Sequence, residues 1–465
     1  MIVDIEQTEG KLSISHINES GELKMMDLNI PRDQQYIWKV SNPGQKSHPS
    51  IKSWNGKNVR KVNSKFLNKY RIEEFLMDQP KRIKDILYAP NKPKMFFCDI
   101  EVEVTDDGFP HPHLAKNAIT AIAFCSGTKV IVLGTKKLTA QQIKRIESKI
   151  NKHFEKFYAI EFNYLYFKSE YEMLYSFFAK AIHKMPLVTG WNFMGFDWLY
   201  MYNRCKILGI DPAISSPSRK IITKKNLPQH RMIVDYLQIY KTWDRTVDVK
   251  ENNSLDFVSK AVLGINKIKY SGTLQDLYEQ DFEEYIFYNA VDTLLVQFIH
   301  EKLQTMQTFL TLANITNVEA QKAFSPIWMA ESAMIHEFYK RGKIFPKTFD
   351  EKKNREGYEG AFVFKPIPGI YEWVGAFDFA SLYPSIMRQW NISPENYMYN
   401  VDLNKEDRND QEDGTIMTST GATFNNSEDS VFRTILTNYY GKRKKTKGEM
   451  FTLEKEIAYL KGYIT

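Results

Sequence analysis

The sequence predicts an α/β fold of several domains, and three observations carry that prediction. The 465 residues are enough for roughly two to four domains. Residues 1 to about 93 are short alternating runs broken by turn residues, the pattern of a β-rich N-terminal domain. Beyond them, strand-like runs alternate with helical ones, the order of an α/β domain.

In chain order, "KLSISHI" and "QQYIWKV" predict strands and "SNPGQKS" a loop. "MFFCDIEVEV" is too apolar and β-branched for a surface loop, so a buried strand is expected over Met95–Val104, closed by the turn residues of "DDGFPHPH". "AITAIAFC" and "KVIVLGT" continue a sheet, and "AQQIKRIESKINKHF" and "EYEMLYSFFAKAIHKM" have helical spacing. A long helix is expected from about Glu283 to Met306. Another is expected over 325 to 341, with Ser325 before Pro326 at its start. "VDLNKEDRNDQEDG" has the composition of a polar loop.

Hydrophobic residues make up 43% of the chain, with 30 Phe and 26 Tyr, so sizeable cores can form. The formal net charge of +7 is a mild lean toward polyanions. Cys98, Cys125 and Cys205 lack metal-ligand spacing and fit reduced thiols. The opening residues do not have the pattern of a signal peptide, and no apolar run reaches membrane-spanning length, so no membrane partner is expected.

Three carboxylate clusters carry chemistry. Asp99 and Glu101 are two apart on one strand and share a face. Two buried anions side by side need a cation between them; solvated acids at an exposed strand end are the alternative. In "LVTGWNFMGFDWLYMYNR" a strand runs to "WN", a glycine turn follows, and Asp197 stands near the start of an aromatic helix, where the helix dipole alone could favour it. In "YIFYNAVDTLLVQF", Tyr288 and Asp292 are four apart on a helix face. Asp235 in "MIVDYLQIY" is a further acid on an expected strand, assigned a structural or outer role.

Taken together, a strand acid pair, an acid after a second strand and Tyr-x-x-x-Asp on a late helix resemble the proofreading exonuclease domain of DNA polymerases. "DFASLYPSIMRQWNISP" is similar to the first palm motif of family B DNA polymerases, and the chain resembles the N-terminal half of such an enzyme from T-even-like bacteriophages. "SLDFVSKAVLGINKIKYSG", "AFSPIWMAES" and "GAFVFKPIP" also match that phage branch. The resemblance implies a ribonuclease-H-like exonuclease domain, a mixed sheet with flanking helices, beside the β-rich N-terminal domain and a partial palm and fingers. Its boundaries fall at 1–98 for the N-terminal domain, 99–304 for the exonuclease, 305–357 for a helical connection returning to the N-terminal domain, 358–428 for the partial palm and 429–465 for the first fingers helix.

By this resemblance Asp99, Glu101, Asp197 and Asp292 hold Mg²⁺ or Mn²⁺, and Tyr288 orients the attacking water. Hard cations take oxygen ligands, and two of them about 3.5–4 Å apart clamp the attacking and leaving oxygens of a phosphodiester. Phe193, Phe196 and Trp198 are candidate neighbours of the terminal bases; at least one of the three should contact them, with core packing the alternative role for each. Asp378, at the end of an expected apolar strand and before a tight turn and a short helix opened by Pro384, matches the first palm metal ligand, with the main chain of Phe379 beside it. Leu382 and Tyr383 match the floor of the nucleotide pocket. "YEGA" at 358 to 361 resembles the Tyr-x-Gly-Gly element between exonuclease and palm, departing from it at Ala361.

Val431, Ile435 and Tyr439 step by four, as do Phe432, Leu436 and Tyr440, which predicts an amphipathic helix. Arg443 and Lys447 continue that step and, by resemblance, grip the triphosphate of an incoming nucleotide. "KRKKTK" alone would also suit a solvated basic run.

A second palm carboxylate motif, Tyr-Gly-Asp-Thr-Asp-Ser, is not found. Asp402, Asp407, Asp410, Asp413 and Asp429 lie in polar sequence without the apolar hairpin that it needs. The expectation is therefore the N-terminal subunit of a split polymerase. Its partners would be DNA primer-template, single-stranded DNA, dNTP, a C-terminal half on a separate chain and, through that half, a sliding clamp, in the cytoplasm of an infected bacterium. A free-standing 3′→5′ exonuclease with a vestigial palm, or a nucleic-acid-binding fragment, are the alternatives.

Overall fold

The computed structural model describes residues 1–104, 108, 110–243, 252–346, 362–401 and 414–464. The "YEGA" element and Asp402, Asp407, Asp410 and Asp413 lie outside these residues. The chain divides into two compact units, Met1–Arg32 with Gln79–Ala330, and Asp33–Asp78 with Glu331–Thr465.

The first unit is built on a six-stranded mixed sheet of β1 (Met95–Val102), β2 (Ile119–Ser126), β3 (Lys129–Gly134), β4 (Glu161–Tyr166), β5 (Leu187–Thr189) and β6 (Met232–Ile233), in the order β4-β3-β2-β1-β5-β6. The pairs β1/β2 and β2/β3 are antiparallel, and β3/β4, β1/β5 and β5/β6 are parallel. This matches the expected mixed sheet with flanking helices.

Each face of β1 has its own core. Phe97 packs with the buried residues of the long helix and β2, whereas Cys98, Ile100 and Val102 pack with Trp198, Tyr200 and Met201. Strand alternation thus places Asp99 and Glu101 on the face of Phe97. They stand opposite Ala123 and Ala121 of β2, small residues that leave room above the acids.

Helix α1 is Asp197–Ile207, α2 is Leu255–Leu263, closed by Gly264 at φ 73°, and α3 is Phe282–Leu303. The expected single helix to Met306 is two. Gln304, at φ 54°, turns the chain left-handed and a second helix runs Thr305–Ile315. "EYEMLYSFFAKAIHKM" is α-helical only over Glu170–Ser176 before passing into a π turn and a 3-10 turn. The unit also carries an antiparallel three-stranded sheet of Ile2–Thr8, Lys11–Ile17 and Leu23–Asn29.

In the second unit, Tyr36–Val40 pairs with Val59–Asn63, and Lys52–Ser53 pairs with Lys343–Ile344. Tyr36, Trp38, Val59 and Ile344 form a small core. The fully buried Arg71 lies over the Tyr36 ring and beside Glu74, which accepts from Trp38 Nε1 at 3.0 Å. Thr415–Met417, Ala422–Asn425 and Tyr397–Asn400 make a second three-stranded sheet. Helix α4 (Leu382–Gln389) packs on the long helix α5 (Val431–Ile464), where Arg433 Nε donates to Arg388 O at 2.8 Å. Helix α5 runs unbroken through Gly441 and Gly448. The expected strand into Asp378 is not formed. A strand needs a hydrogen-bonding neighbour, and among the described residues none pairs with 362–379.

Candidate metal centre

Asp99 and Glu101 of β1 and Asp292 of α3 each bring a carboxylate oxygen to one place, with all three oxygens within 4.8 Å of one another. Among the described residues no other three metal-capable side chains converge in this way. Asp292 lies among core residues of α3, and its helix face also presents Tyr285, Tyr288 and Asn289.

Asp197 approaches from the other side. The expected strand to "WN" is only the three residues of β5. Asn192 then turns at φ 59°, and α1 begins at Asp197. This connection runs against β1. A Cβ built on Gly190 would lie 2.2 Å from Cys98 O, so only glycine fits the passage. Buried Asp197 accepts the Ile100 N–H at 3.1 Å and is not among the three converging acids, although burial and the charge of Asp99 push its carboxyl well above the usual range.

Asp235 is not on a strand. It follows β6 and precedes the helix Tyr236–Trp243, where it accepts from Leu237 N at 2.9 Å and Met194 N at 3.1 Å. These bonds tie it to the turn before α1. Phe193 and Trp198 are buried in the core behind α1, because that helix covers the Cys98 face of the sheet. Of the three candidate base neighbours only Phe196 is partly exposed, and its ring lies against Tyr200.

Burial and mutual repulsion set the electrostatics. Burial, then the charge of Asp292, pushes Asp99 up to about 7. Glu101 is driven well above the usual carboxylate range by burial and by Asp99. Burial also raises Asp292 against the opposing pull of Lys267. Lys267 Nζ stands 2.5 Å from Asp292 Oδ2 and shares a hydrogen bond with the Tyr288 hydroxyl. Burial works against the ammonium, yet the neighbouring Asp292 and Tyr288 raise it, so it stays charged.

Lys267 is a site residue that the motif reading did not single out. It lies in the loop after α2, where its N–H donates to Asp256 Oδ1 at 2.8 Å. The only signal is a lysine beside Ile268 in "INKIKY", a stretch that also holds Asn266 and Lys269. Tyr270 from the same loop meets the Tyr288 ring edge-on at 5.3 Å.

One lysine against the three converging acids, with Asp197 near Asp99, leaves the centre short of positive charge. Its donors are all carboxylate oxygens, and the buried Asp292 Oδ1 has no hydrogen-bond partner. That donor set suits a hard divalent cation.

The second candidate site differs. Asp378, Phe379, Leu382 and Tyr383 are exposed, on the unpaired segment and the first turn of α4. That helix starts at Leu382 rather than at Pro384, after Ser381 at φ 56°. Arg443 and Lys447 lie four apart on exposed α5, with Lys447 Nζ over the Phe451 ring. Asp429 pairs with Arg433 at 3.2 Å.

Comparison with known proteins places these sites in context. A sequence model of the DNA polymerase family B exonuclease domain matches residues 31–246, and one of DNA polymerase family B matches residues 328–460. A DNA-directed DNA polymerase of Escherichia phage RB69 is 30% identical over 406 residues, covering 81% of this chain and 44% of that protein. The DNA-directed DNA polymerase of Enterobacteria phage T4 is 28% identical, over 67% of this chain and 36% of its own. A DNA polymerase of Archaeoglobus fulgidus is 26% identical, over 59% and 34%. The chain spans less than half the length of these curated relatives.

Proposed function

The chain belongs to the family B DNA polymerases, and we propose that its carboxylate centre is a 3′→5′ exonuclease site that removes nucleotides from single-stranded DNA ends. The observation that carries this is the meeting of Asp99, Glu101 and Asp292 within 4.8 Å. Together with Asp197 they would hold Mg²⁺ or Mn²⁺, two ions in this reading. Such ions neutralise the phosphodiester and lower the pKa of an attacking water.

The chain's own residues do the rest. Tyr288, hydrogen-bonded to Lys267 and Asp292, orients the water toward phosphorus. Lys267 keeps Asp292 ionised and adds positive charge beside the phosphate. Partly exposed Phe196 offers a ring to a terminal base. A 5′-labelled single-stranded oligonucleotide should shorten stepwise from its 3′ end in Mg²⁺ or Mn²⁺ and stay intact in EDTA. An intact oligonucleotide in both metals, or shortening in EDTA, would reject the assignment.

The second unit is proposed as part of a polymerase site. Asp378 and the Phe379 main chain would hold metal, Leu382 and Tyr383 would floor the nucleotide pocket, and Arg443 and Lys447 would grip the dNTP triphosphate. One carboxylate is too few beside a triphosphate. Phe377, Trp373 and Ile370 are at least 98% exposed, a surface suited to cover by an apolar partner. In this proposal a C-terminal half on a second chain supplies the cover, further acids and the sliding-clamp contact. No helix of the described residues is long and apolar enough to cross a membrane, and the proposed setting is the cytoplasm of a phage-infected bacterium. Co-expression with such a half should give a co-purifying pair that extends a primer, and Asp378→Ala should abolish extension while sparing hydrolysis. Extension by the Asp378→Ala pair would reject this role.

A further inference from the structure

Asn289 lies one residue after Tyr288 on the site face of α3. It is fully buried, and its Nδ2 donates to Asp99 Oδ2 at 2.9 Å. An ionised carboxylate only accepts, and the amide presents its nitrogen there. The amide oxygen, Oδ1, is buried without a hydrogen-bond partner. A buried acceptor left unmade costs about 1–3 kcal/mol, and the fold tolerates this at a residue whose other end touches a site acid. Four residues earlier, Tyr285 hydrogen-bonds Thr120, whose hydroxyl donates to Glu101 O at 3.1 Å. Helix α3 therefore reaches both positions of the β1 acid pair, one through a side chain and one through the backbone.

We propose that Asn289 is a positioning residue for cation binding. By engaging Asp99 Oδ2 it fixes the rotamer of that carboxylate and leaves its other oxygen for the cation, so that the pair Asp99 and Glu101 is arranged before the ion arrives. This rests on reading the centre as a cation site. Alone, Asp99 would face Glu101 and Asp292 with like charge and would swing away from them. The amide offers one donor that holds it in place without adding a charge that would compete with the ion. Outer-shell partners of this kind typically change metal affinity by about ten- to a hundredfold.

The test is Mn²⁺ titration of the metal-stripped full chain, followed by electron paramagnetic resonance of free Mn²⁺. Two substitutions bracket the packing: Asn289→Leu keeps the volume and loses the donor, and Asn289→Ser keeps polarity but does not reach Asp99. Both should weaken Mn²⁺ binding about tenfold or more. The Mg²⁺ concentration for half-maximal hydrolysis should rise in parallel, and the rate at saturating metal should recover to within a few-fold of the wild type. Wild-type affinity in either folded variant, with only a lower melting temperature, would make Asn289 a packing residue and overturn the inference. If the wild type itself bound no Mn²⁺, the reading of the centre would fail first.

Discussion

The two candidate sites of this chain use the same residue type in opposite settings. In the first unit every acid has a support. Asp99 is held by Asn289, Asp197 by the Ile100 N–H and Asp292 by Lys267, and Thr120 fixes the backbone at Glu101. In the second unit Asp378 stands on an exposed segment beside a fully exposed Phe377. The difference teaches that a motif is not a site until a core fixes it. Buried anions crowded by packing store the repulsion that a cation relieves, and a solvated one does not.

The strongest way to break the comparison is to remove the paired acids. Asp99→Ala with Glu101→Ala should lower hydrolysis of single-stranded DNA by on the order of a thousandfold or more, while Asp378→Ala leaves it within twofold. Equal losses from both would mean that the two regions form one functional centre. Lys267→Met should be the next largest change, a loss of about ten- to a hundredfold in hydrolysis. Lys447→Met, an exposed lysine of α5, should leave that rate unchanged. Steady-state rates on a labelled oligonucleotide decide both.

These experiments also mark what the sequence could reveal. The two-residue spacing of Asp99 and Glu101 and the four-residue spacing of Tyr288 and Asp292 are periodic signals, and periodicity survives folding because it sets which face a side chain takes. Lys267 had no such signal. It sits in a loop, 25 residues before its partner Asp292, and only the packing of that loop on α3 joins them. Asn289 was in view within "YNAVD", but a neutral amide carries no sign of its purpose until its hydrogen bond is seen. Phe193 and Trp198 take the core role that was the alternative for each, because aromatic composition cannot tell which rings before and within α1 face the sheet. The apolar run before Asp378 looked like a strand, but apolar sequence does not supply a pairing neighbour.

A third, smaller effect separates the regions by pH. Burial raises the folded-state pKa of Asp99 to about 7 and also raises those of Glu101 and Asp292. The stability tied to keeping these acids protonated is present below their unfolded values near 4. It is lost as pH rises through the folded values, at up to roughly 1.4 kcal/mol per pH unit for each titrating group. The metal-free melting temperature should therefore fall between about pH 5 and pH 8, and Mg²⁺ should restore it at pH 8. Asp99→Asn should flatten the fall, whereas Asp378→Asn should leave it as it is. A pH-independent melting curve in the metal-free protein would contradict the buried-acid account.

The smallest expected effect is on packing. Phe377→Ser, at an exposed position of the second unit, should change the stability of the isolated chain by less than about 0.5 kcal/mol. Trp198→Ala, in the core behind the first site, should cost about 3–5 kcal/mol. Denaturant melts of both variants measure this contrast. A large loss from Phe377→Ser would show that the exposed apolar segment is already covered in solution.

In the proposed function the acids Asp99, Glu101, Asp197 and Asp292 suffice for hydrolysis, whereas Asp378 does not suffice for synthesis. The most direct measurement is one reaction: the purified chain, a 5′-labelled primer annealed to a longer template with a frayed 3′ end, Mg²⁺ and all four dNTPs. The account predicts products shorter than the primer and none longer. Products extended beyond the primer, made by this chain alone and lost on Asp378→Ala, would contradict it.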